Sequence, residues 1–243
     1  MNAAMKKFTL NIRGKLHQFD GPCVMGIINI TPDSYFAESR TFSQDAALER
    51  CNDLVSEGAA IIDVGAVSTR PGSEYPGRDE ELSRLLSVFP LLRREFPDTV
   101  FSIDTSNAEV ASRLLDEGAD IINDISGGEH DEKMFNLIAE RKCPYIMMHM
   151  RGWPKDMQSL TRYDDLVSEI SSYFSEKIEK LHQTGVSDII LDPGFGFSKT
   201  TEQNYFLLDR LQSFSFHNKP LLVGISRKSM VFRALTLAVS KSP

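Results

Sequence analysis

The sequence predicts an α/β fold, and within that class a (β/α)8 (TIM) barrel preceded by a β-hairpin. Seven short apolar, β-branched runs alternate with amphipathic stretches along the chain. The runs are too short for helices and show little polar alternation, which is typical of strands buried on both faces of a parallel sheet. They recur at intervals of about 20 to 45 residues, and this regularity favours a barrel over a doubly wound sheet.

The first predicted element is the hairpin, in residues 8–19. Its centre is the pair Arg13-Gly14, a turn signal between two strand-like segments. The hairpin precedes the first of the buried strands. These strands are predicted over residues 23–30, 60–64, 100–103, 120–122, 145–148, 188–191 and 220–225.

Helices are predicted between the strands, where apolar residues recur at helical spacing. Two of the segments end in Glu-Gly, at Gly58 and Gly118. A left-handed helix C-cap favours a residue without Cβ, so these glycines predict the ends of the two helices. A complete barrel needs eight units, so we expect residues 1–243 to form a single barrel domain that is truncated after about the seventh unit. The predicted helices cover residues 45–56, 79–95, 108–117, 132–141, 163–183 and 202–211.

The composition excludes several classes of protein. The 243 residues include 27 Lys and Arg against 34 Asp and Glu, a net charge of −7, with no block of basic residues. This balance argues against binding to nucleic acid or to a membrane surface. No apolar run approaches the roughly 20 residues that span a bilayer. The three cysteines share no C-x-x-C spacing, so we expect reduced thiols and a cytoplasmic protein.

Polar residues stand at the ends of nearly all the predicted strands. One such residue often only caps the next helix, but the carboxyl ends of barrel strands converge on one mouth. Carboxylates only accept hydrogen bonds, so this set suits a flat heterocycle rich in N–H donors. A lysine beside them suits ring acceptors or a developing charge. The residues are Asn29, Asp63, Asp104, Asn123, His149, Asp192 and the run Ser226-Arg227-Lys228.

Three loops carry further signals. Residues 31–34 (TPDS) and 68–72 (STRPG) supply hydroxyls, free N–H groups and the Arg70 guanidinium, which are phosphate-binding groups. Arg70 alone is equally consistent with a solvated surface charge. Residues 192–197 (DPGFGF) contain G-x-G but lack the third glycine of a dinucleotide fingerprint. Their simpler interpretation is a tight turn with Phe197 as a core aromatic.

Other reactive groups give weaker signals. His149 and His182 have no partner at i+4, which argues against a zinc helix, and we expect His149 to be a hydrogen-bonded histidine at the barrel rim. Cys51 lies in a predicted helix and Cys143 just before a strand, positions that favour buried thiols over nucleophiles.

Taken in order, seven motifs resemble the dihydropteroate synthase family. Each motif is weak alone, but the ordered set, from about residue 24 to 232, is highly specific. The motifs are MGIINITPDS (25–34), STRPG (68–72), SIDT (102–105), IND (122–124), MHM (148–150), LDPGFGF (191–197) and GISRKS (224–229).

The resemblance implies a pterin-binding (β/α)8 barrel that acts in folate biosynthesis and is a homodimer in its complete form. It implies that (7,8-dihydropterin-6-yl)methyl diphosphate condenses with 4-aminobenzoate to give 7,8-dihydropteroate and diphosphate, by a dissociative mechanism and with Mg²⁺. It also implies that sulfonamides compete for the 4-aminobenzoate position.

The resemblance also assigns roles to individual residues. The pterin ring is expected to contact Asp104, Asn123, Asp192, Lys228 and Met147. The diphosphate is expected to contact Asn29, Thr69 and Arg70, with Asn29 also on Mg²⁺. The 4-aminobenzoate is expected to contact Thr69, Pro71, Phe197, Ser229 and Tyr35.

The sequence departs from the family pattern in two places. In the first loop Tyr35 keeps an aromatic residue, but Ala37 replaces the usual aspartate and the glycine pair is absent. The family's last βα unit, with its Arg-x-His, has no counterpart before Pro243. We interpret the sequence as a shortened form of a complete enzyme; as a working chain it would have weak or no activity unless a partner closes the barrel.

Two alternatives remain open at this point. A methyltetrahydrofolate–corrinoid methyltransferase would share the ring contacts, but the STRPG and SRK motifs disfavour it because methyl transfer releases no diphosphate. A non-catalytic pterin-binding homologue would keep the ring pocket and lose the diphosphate groups. The absent eighth unit favours this second alternative, whereas retention of Asn29, Thr69, Arg70 and Lys228 disfavours it.

Overall fold

The computed structural model describes residues 7–30, 40–67, 75–153, 155–226, 228 and 230–231. The strands in these ranges are β1 (Phe8–Ile12), β2 (Lys15–Phe19), β3 (Met25–Asn29), β4 (Ile61–Gly65), β5 (Val100–Asp104), β6 (Ile121–Asp124), β7 (Tyr145–Met148) and β8 (Ile189–Asp192). The α-helices are α1 (Arg40–Ser56), α2 (Arg78–Glu95), α3 (Ala108–Asp116), α4 (Met134–Arg141), α5 (Leu166–Gln183) and α6 (Thr201–Asp209). Short 3-10 helices lie at Met157–Ser159 and Leu211–His217.

Strands β3 to β8 form one parallel sheet in which each strand pairs with the next along the chain. A helix lies between each pair of successive strands. A doubly wound sheet would reverse its strand order at a switch point, and this sheet does not. The arrangement confirms the predicted barrel class.

The predicted seventh strand is only partly confirmed. Leu221 forms a parallel bridge with Leu191. The Leu191 N–H donates to the Pro220 carbonyl at 2.9 Å, and the Leu222 N–H donates to the Leu191 carbonyl at 2.8 Å. Among the described residues the ladder of this segment with β8 is limited to this one bridge instead of running over residues 220–225.

Alternation along the strands separates two faces of the sheet. The outer face packs against the helices in one large core; Ile62, Val64, Phe101, Ile103 and Leu191 belong to it, with none of their surface exposed. The inner face packs against the hairpin near the amino ends of the strands. Near their carboxyl ends the inner face carries polar side chains instead.

The hairpin covers the amino end of the sheet. Arg13 (φ 51°) and Gly14 (φ 74°) form its turn in left-handed conformations, as the Arg-Gly pair predicts. Phe8 and Phe19 stack with their ring centroids 4.6 Å apart. The buried side chains of β1 and β2 pack in one cluster against the first inward residue of each neighbouring strand: Leu10, Ile12 and Phe19 against Ile61, Val100, Ile121, Ile146 and Ile190.

Polar contacts hold the hairpin in place. The buried carboxylate of Asp120 accepts from Arg13 Nε at 2.6 Å, from Arg93 Nη2 at 2.8 Å and from the Phe101 N–H at 2.8 Å. The Asn11 N–H donates to Asp188 Oδ2 at 2.8 Å. A buried carboxylate is stable only when it is paired and hydrogen-bonded, and Asp120 meets both conditions.

Helix ends follow capping side chains more closely than apolar periodicity. Helix α5 begins at Leu166, three residues after the predicted start, because the Asp165 side chain accepts from the Ser168 N–H at 3.0 Å and so forms an N-cap. Helix α6 begins with a capping box formed by Thr200 and Gln203. Gly58 and Gly118 adopt positive φ after their helices, as predicted.

None of the helices in the described part of the chain combines the length and the apolar character needed to cross a membrane.

Candidate active site at the carboxyl end of the sheet

Four neighbouring strands bring their last inward-facing residues side by side. In register, Asn29 of β3 pairs with Gly65 of β4, Gly65 with Asp104 of β5, and Asp104 with Asn123 of β6. Residues paired across a sheet share a face, so this row lines one edge of the mouth. A Cβ on Gly65 would lie 3.3 Å from Asp104 Oδ2 and 3.5 Å from Asn29 Oδ1. Glycine therefore keeps the space between these two oxygens free.

Two more carboxylates complete the group. Asp63, two residues before Gly65 on the same face, accepts from Asn123 Nδ2 at 3.0 Å. Asp192 of β8 pairs in register with Met148 of β7. Asp63 and Asp192 are 5% and 8% exposed. We call Asp63, Asp104, Asn123 and Asp192 the mouth cluster.

The pKa values of the mouth cluster are those of carboxyls crowded in a buried site. Burial raises the pKa of Asp63 to about 6, and the negative charge of Asp192 contributes to that rise. Burial also raises the pKa of Asp104 well above its usual value, with further contributions from Asp63 and Glu81. Burial raises the pKa of Asp192, while the Gly194 N–H and the Lys228 charge oppose the rise. Such a site favours a ligand that brings N–H donors or positive charge.

Lys228 lies beside the mouth cluster. Its Nζ donates to the Phe195 carbonyl and lies 4.5 Å from the centroid of the Phe197 ring. Burial lowers the pKa of Lys228, and the attraction of Asp192 opposes this change. The predicted grouping of Asp104, Asn123, Asp192 and Lys228 is therefore present in the structure.

The loop after β8, residues 192–197, is folded back on itself. Asp192 Oδ1 accepts from the Gly194 N–H at 2.8 Å, and the Phe197 N–H donates to the Gly194 carbonyl at 3.1 Å. Phe195 is fully buried, whereas Phe197 is only partly buried beside Lys228. The tight turn is confirmed, but the aromatic residue that it contributes to the core is Phe195 and not Phe197.

Met147 does not lie on the site face. Its register partners are Asp124 and Leu191, and it belongs to the core between sheet and helices with no exposed surface. Because side chains alternate along a strand, the next residue, Met148, faces inward beside Asp192. Met147, predicted as a ring neighbour, therefore lies on the opposite face of the sheet, and Met148 takes the inward position, where it packs with Met150, Met157, Ile125 and Phe197.

Several predicted site residues lie outside the part of the chain that the structure describes. These residues are Tyr35, Thr69, Arg70, Pro71 and Ser229. Asn29 is described and exposed at the mouth. Among the described residues no group of three or more His, Cys, Asp or Glu side chains could hold a metal ion, so any divalent cation at Asn29 would depend on oxygens from another source.

Three buried polar residues near the site were not assigned roles from the sequence. Asp63 accepts the hydrogen bond that orients Asn123, and only its place at a strand end signalled it. Glu81 of α2 is 1% exposed and accepts from the Tyr75 hydroxyl. Lys199 is 3% exposed and contacts His149, which confirms His149 as a hydrogen-bonded rim histidine. Nothing in the sequence distinguishes Glu81 or Lys199 from surface residues.

The Asp63→Asn variant is expected to be more stable than the parent at pH 7.5. The carboxyl has a pKa of about 6 in the folded protein and near 3.9 in the unfolded chain. The folded state thus binds the Asp63 proton more tightly than the unfolded chain does. The proton's contribution to the free energy of unfolding is therefore fully present below pH 4 and is lost as the pH rises through 6. Asparagine removes the buried charge and can still accept from Asn123, so we expect a gain of roughly 3 kcal/mol.

Thermal melts of both proteins at pH 7.5 and pH 4.5 test this expectation. The variant should melt about 8 °C higher at pH 7.5, and the difference should shrink at pH 4.5. A lower melting temperature than the parent at pH 7.5 would contradict the burial argument.

The arrangement has a definite chemical capacity. The mouth cluster presents three carboxyl groups and one amide to a single concave face, with an ammonium beside them. Fixed negative groups in a buried site stabilise positive charge that develops on a bound ring. The site therefore suits a flat, N–H-rich heterocycle that becomes cationic during reaction.

Comparisons with known proteins agree with this chemistry. The family model described as "Pterin binding enzyme" matches residues 25–242. The dihydropteroate synthase of Synechocystis sp. is 45% identical over 214 residues, which is 87% of this chain and 74% of that protein.

Solved structures give the same picture. A Yersinia pestis dihydropteroate synthase in complex with a sulfonamide drug superposes with a TM-score of 0.86 at 39% identity, covering 94% of this chain and 83% of that one. A Xanthomonas albilineans dihydropteroate synthase with 4-aminobenzoic acid gives a TM-score of 0.85 at 33% identity, covering 94% and 81%.

Proposed function

The chain belongs to the dihydropteroate synthases of the pterin binding enzyme family, which are transferases of folate synthesis, and we propose that it transfers a pterin-methyl group from a diphosphate to an arylamine. The substrates are (7,8-dihydropterin-6-yl)methyl diphosphate and 4-aminobenzoate. The bond between the methylene carbon and the diphosphate oxygen breaks, and the oxygen keeps the electron pair. The amine nitrogen bonds to that carbon and then loses a proton to water, which gives 7,8-dihydropteroate and diphosphate.

The observation that carries this proposal is the mouth cluster beside Lys228. Asp104 and Asn123 are adjacent in register, and Asp63 orients Asn123 through a 3.0 Å hydrogen bond. The aminopyrimidinone edge of a pterin carries N–H donors, and the buried carboxylate of Asp192 is a matching acceptor. The same negative groups stabilise the cation left on the ring when diphosphate departs.

The arylamine is proposed to bind on the loop side of the cluster. The partly buried Phe197 ring offers an apolar wall next to Lys228, and Met148 offers another next to Asp192. The resemblance adds Tyr35, Thr69, Pro71 and Ser229 to this subsite. An arylamine is a neutral nucleophile, so the proposal needs no strong base at this position.

Mg²⁺ fits the donor set at the mouth. Asn29 offers an exposed amide oxygen, and Mg²⁺ is usually held by one or two protein oxygens together with substrate phosphates and water. We propose that Asn29 holds the ion with the diphosphate, assisted by Thr69 and Arg70. When bound, the ion supplies charge neutralisation to the leaving group.

Location and assembly remain proposals. We propose that the reaction takes place in the cytoplasm, because Cys23, Cys51 and Cys143 are free thiols. The homodimer implied by the resemblance also stays a prediction; the exposed side chains of Phe206 and Phe216 supply apolar surface for it.

Amine-dependent release of diphosphate tests the proposed function. The chain is mixed with the dihydropterin diphosphate and Mg²⁺, with and without 4-aminobenzoate, and inorganic diphosphate is measured. We expect slow release that saturates with 4-aminobenzoate and that is inhibited competitively by a sulfonamide. Retained pterin binding without turnover would favour a non-catalytic pterin-binding homologue instead, and loss of both would contradict the assignment of the site.

A further inference from the structure

We propose that Lys199 is a positioning residue that fixes the loop of residues 192–197, and thereby sets Asp192 and Phe197 at the correct separation for the two substrates. This inference rests on the proposed function and concerns a residue that touches neither substrate. It gives a role to a buried lysine in the segment between the loop and helix α6.

The first observation is that each N–H of the Lys199 ammonium has an acceptor. Its Nζ lies 3.0 Å from the Gly194 carbonyl oxygen, 3.0 Å from the Phe197 carbonyl oxygen and 3.2 Å from His149 Nδ1. A lysine ammonium has three donors and no acceptor, so these contacts use its full capacity. The side chain is 3% exposed, and a buried ammonium is stable only when it is hydrogen-bonded in this way.

His149 is suited to the acceptor role. Burial and the nearby Lys199 charge lower the pKa of His149 well below its usual value, so its ring is neutral at pH 7. A neutral ring with its proton on Nε2 leaves Nδ1 free to accept. Burial also lowers the pKa of Lys199, to about 7, while the attraction of Asp192 opposes the change, so the ammonium with all three donors predominates below neutral pH.

The second observation is that Lys199 holds both ends of one turn. The Gly194 carbonyl accepts from Lys199 and from the Phe197 N–H, and the Gly194 N–H donates to the Asp192 carboxylate at 2.8 Å. Gly194 thus connects the Lys199 ammonium, through its carbonyl, to the Asp192 carboxylate, through its N–H. At the other end, the Phe197 carbonyl accepts from the same ammonium. The separation of Asp192 and Phe197 therefore depends on Lys199.

The third observation is that a second lysine holds the loop from the substrate side. Lys228 donates to the Phe195 carbonyl and lies over the Phe197 ring. The two lysines bracket residues 194–197, but Lys228 faces the mouth cluster whereas Lys199 lies behind the loop against His149. This difference makes Lys199 a positioning residue and not a catalytic one.

The test compares Lys199→Met with Lys180→Met in steady-state turnover. Methionine keeps the length and apolar stem of lysine without its donors, and Lys180 is an exposed lysine of α5 that serves as the matched control. For Lys199→Met we expect the KM for 4-aminobenzoate to rise about tenfold and kcat to fall, because small displacements of substrate-positioning groups cost large factors in rate. A lysine that only stabilised the fold would reduce the active fraction and leave this KM unchanged.

A second variant covers incomplete folding of the first. Lys199→Gln retains an amide that can donate to the loop carbonyls, and its KM is expected to lie between those of the parent and Lys199→Met. An unchanged KM in every folded variant, or an equal rise in Lys180→Met, would overturn the proposal. Failure of both Lys199 variants to fold while Lys180→Met folds would also overturn it, since the ammonium would then belong to the scaffold. Absence of turnover in the parent would instead count against the proposed function.

Discussion

Replacing Asp192 with asparagine is expected to lower kcat/KM for diphosphate release by about a hundredfold or more, while the fold is retained. In the parent protein the Gly194 N–H donates to Asp192 Oδ1 at 2.8 Å. Asparagine has the same size and keeps an oxygen that can accept this hydrogen bond. What is lost is the negative charge that faces the ring. A preorganised charged contact is worth on the order of 3 kcal/mol in a transition state, which corresponds to about a hundredfold in rate.

Asp188→Asn is the matched control for this prediction. Asp188 precedes the same strand at its amino end, where its carboxylate accepts from the Asn11 N–H at 2.8 Å. It lies on the hairpin side of the sheet, away from the mouth cluster. We expect its kcat/KM to stay within about threefold of the parent. A change of less than threefold in Asp192→Asn would remove Asp192 from the proposed mechanism.

The second large effect is expected from Gly194→Ala. Gly194 has a φ of +73°, and a Cβ built on it would overlap the backbone carbonyl oxygen of His149 and lie 3.3 Å from Lys199 Nζ. The carbonyl oxygen belongs to backbone and cannot rotate away as a side chain would. The loop must therefore shift, which separates Asp192 from Phe197. We expect a loss of roughly 3 kcal/mol in the free energy of unfolding and at least a tenfold loss of kcat/KM.

Gly185→Ala separates the two causes of this loss. Gly185 also has a positive φ, +86°, but no atom lies within 4 Å of a Cβ built there. It should lose only the about 1 kcal/mol that a left-handed conformation costs an L-residue, with turnover unchanged. Denaturant unfolding of both variants gives the comparison. Equal losses in the two would show that conformation alone, and not the approach to His149, makes glycine necessary at position 194.

The sheet was predictable because its strands are buried on both faces and appear as apolar runs. Because the strands were identified as apolar runs, several of them were predicted to end one or two residues too early. Strand β5 continues to Asp104 and β8 to Asp192, since a polar residue at the mouth still belongs to the ladder. The helix ends were likewise not given by the apolar pattern. Helix α5 begins after its N-cap residue Asp165, and not at the first apolar residue of the predicted helix.

Site residues could be predicted from the sequence where a strand ends in a single polar residue. They could not be predicted where two adjacent residues of the same type leave open which of them faces the site. Asp104 and Asn123 are single polar residues at strand ends, so their convergence follows from barrel topology. Met147 and Met148 are neighbours of the same type, and only the observed register shows that Met148 faces inward. Lys199 was not predictable because its burial results from the path of the loop, which brings the Gly194 and Phe197 carbonyls around it.

The hairpin has a consequence for how the chain acquires its structure. Its polar anchors join Arg13 to Asp120 and Asn11 to Asp188, sequence separations of 107 and 177 residues. Contacts between residues so far apart in the sequence form only after a long loop has closed, and such contacts make folding slow. On the ribosome, the hairpin emerges before the strands that it covers, and its partner Ile190 of β8 emerges after all the other strands of the sheet from β3 to β7. The inward isoleucines of the earlier strands, such as Ile61 and Ile121, therefore lack their full cover until β8 has been made, and exposed apolar surface of this kind makes a nascent chain prone to aggregation.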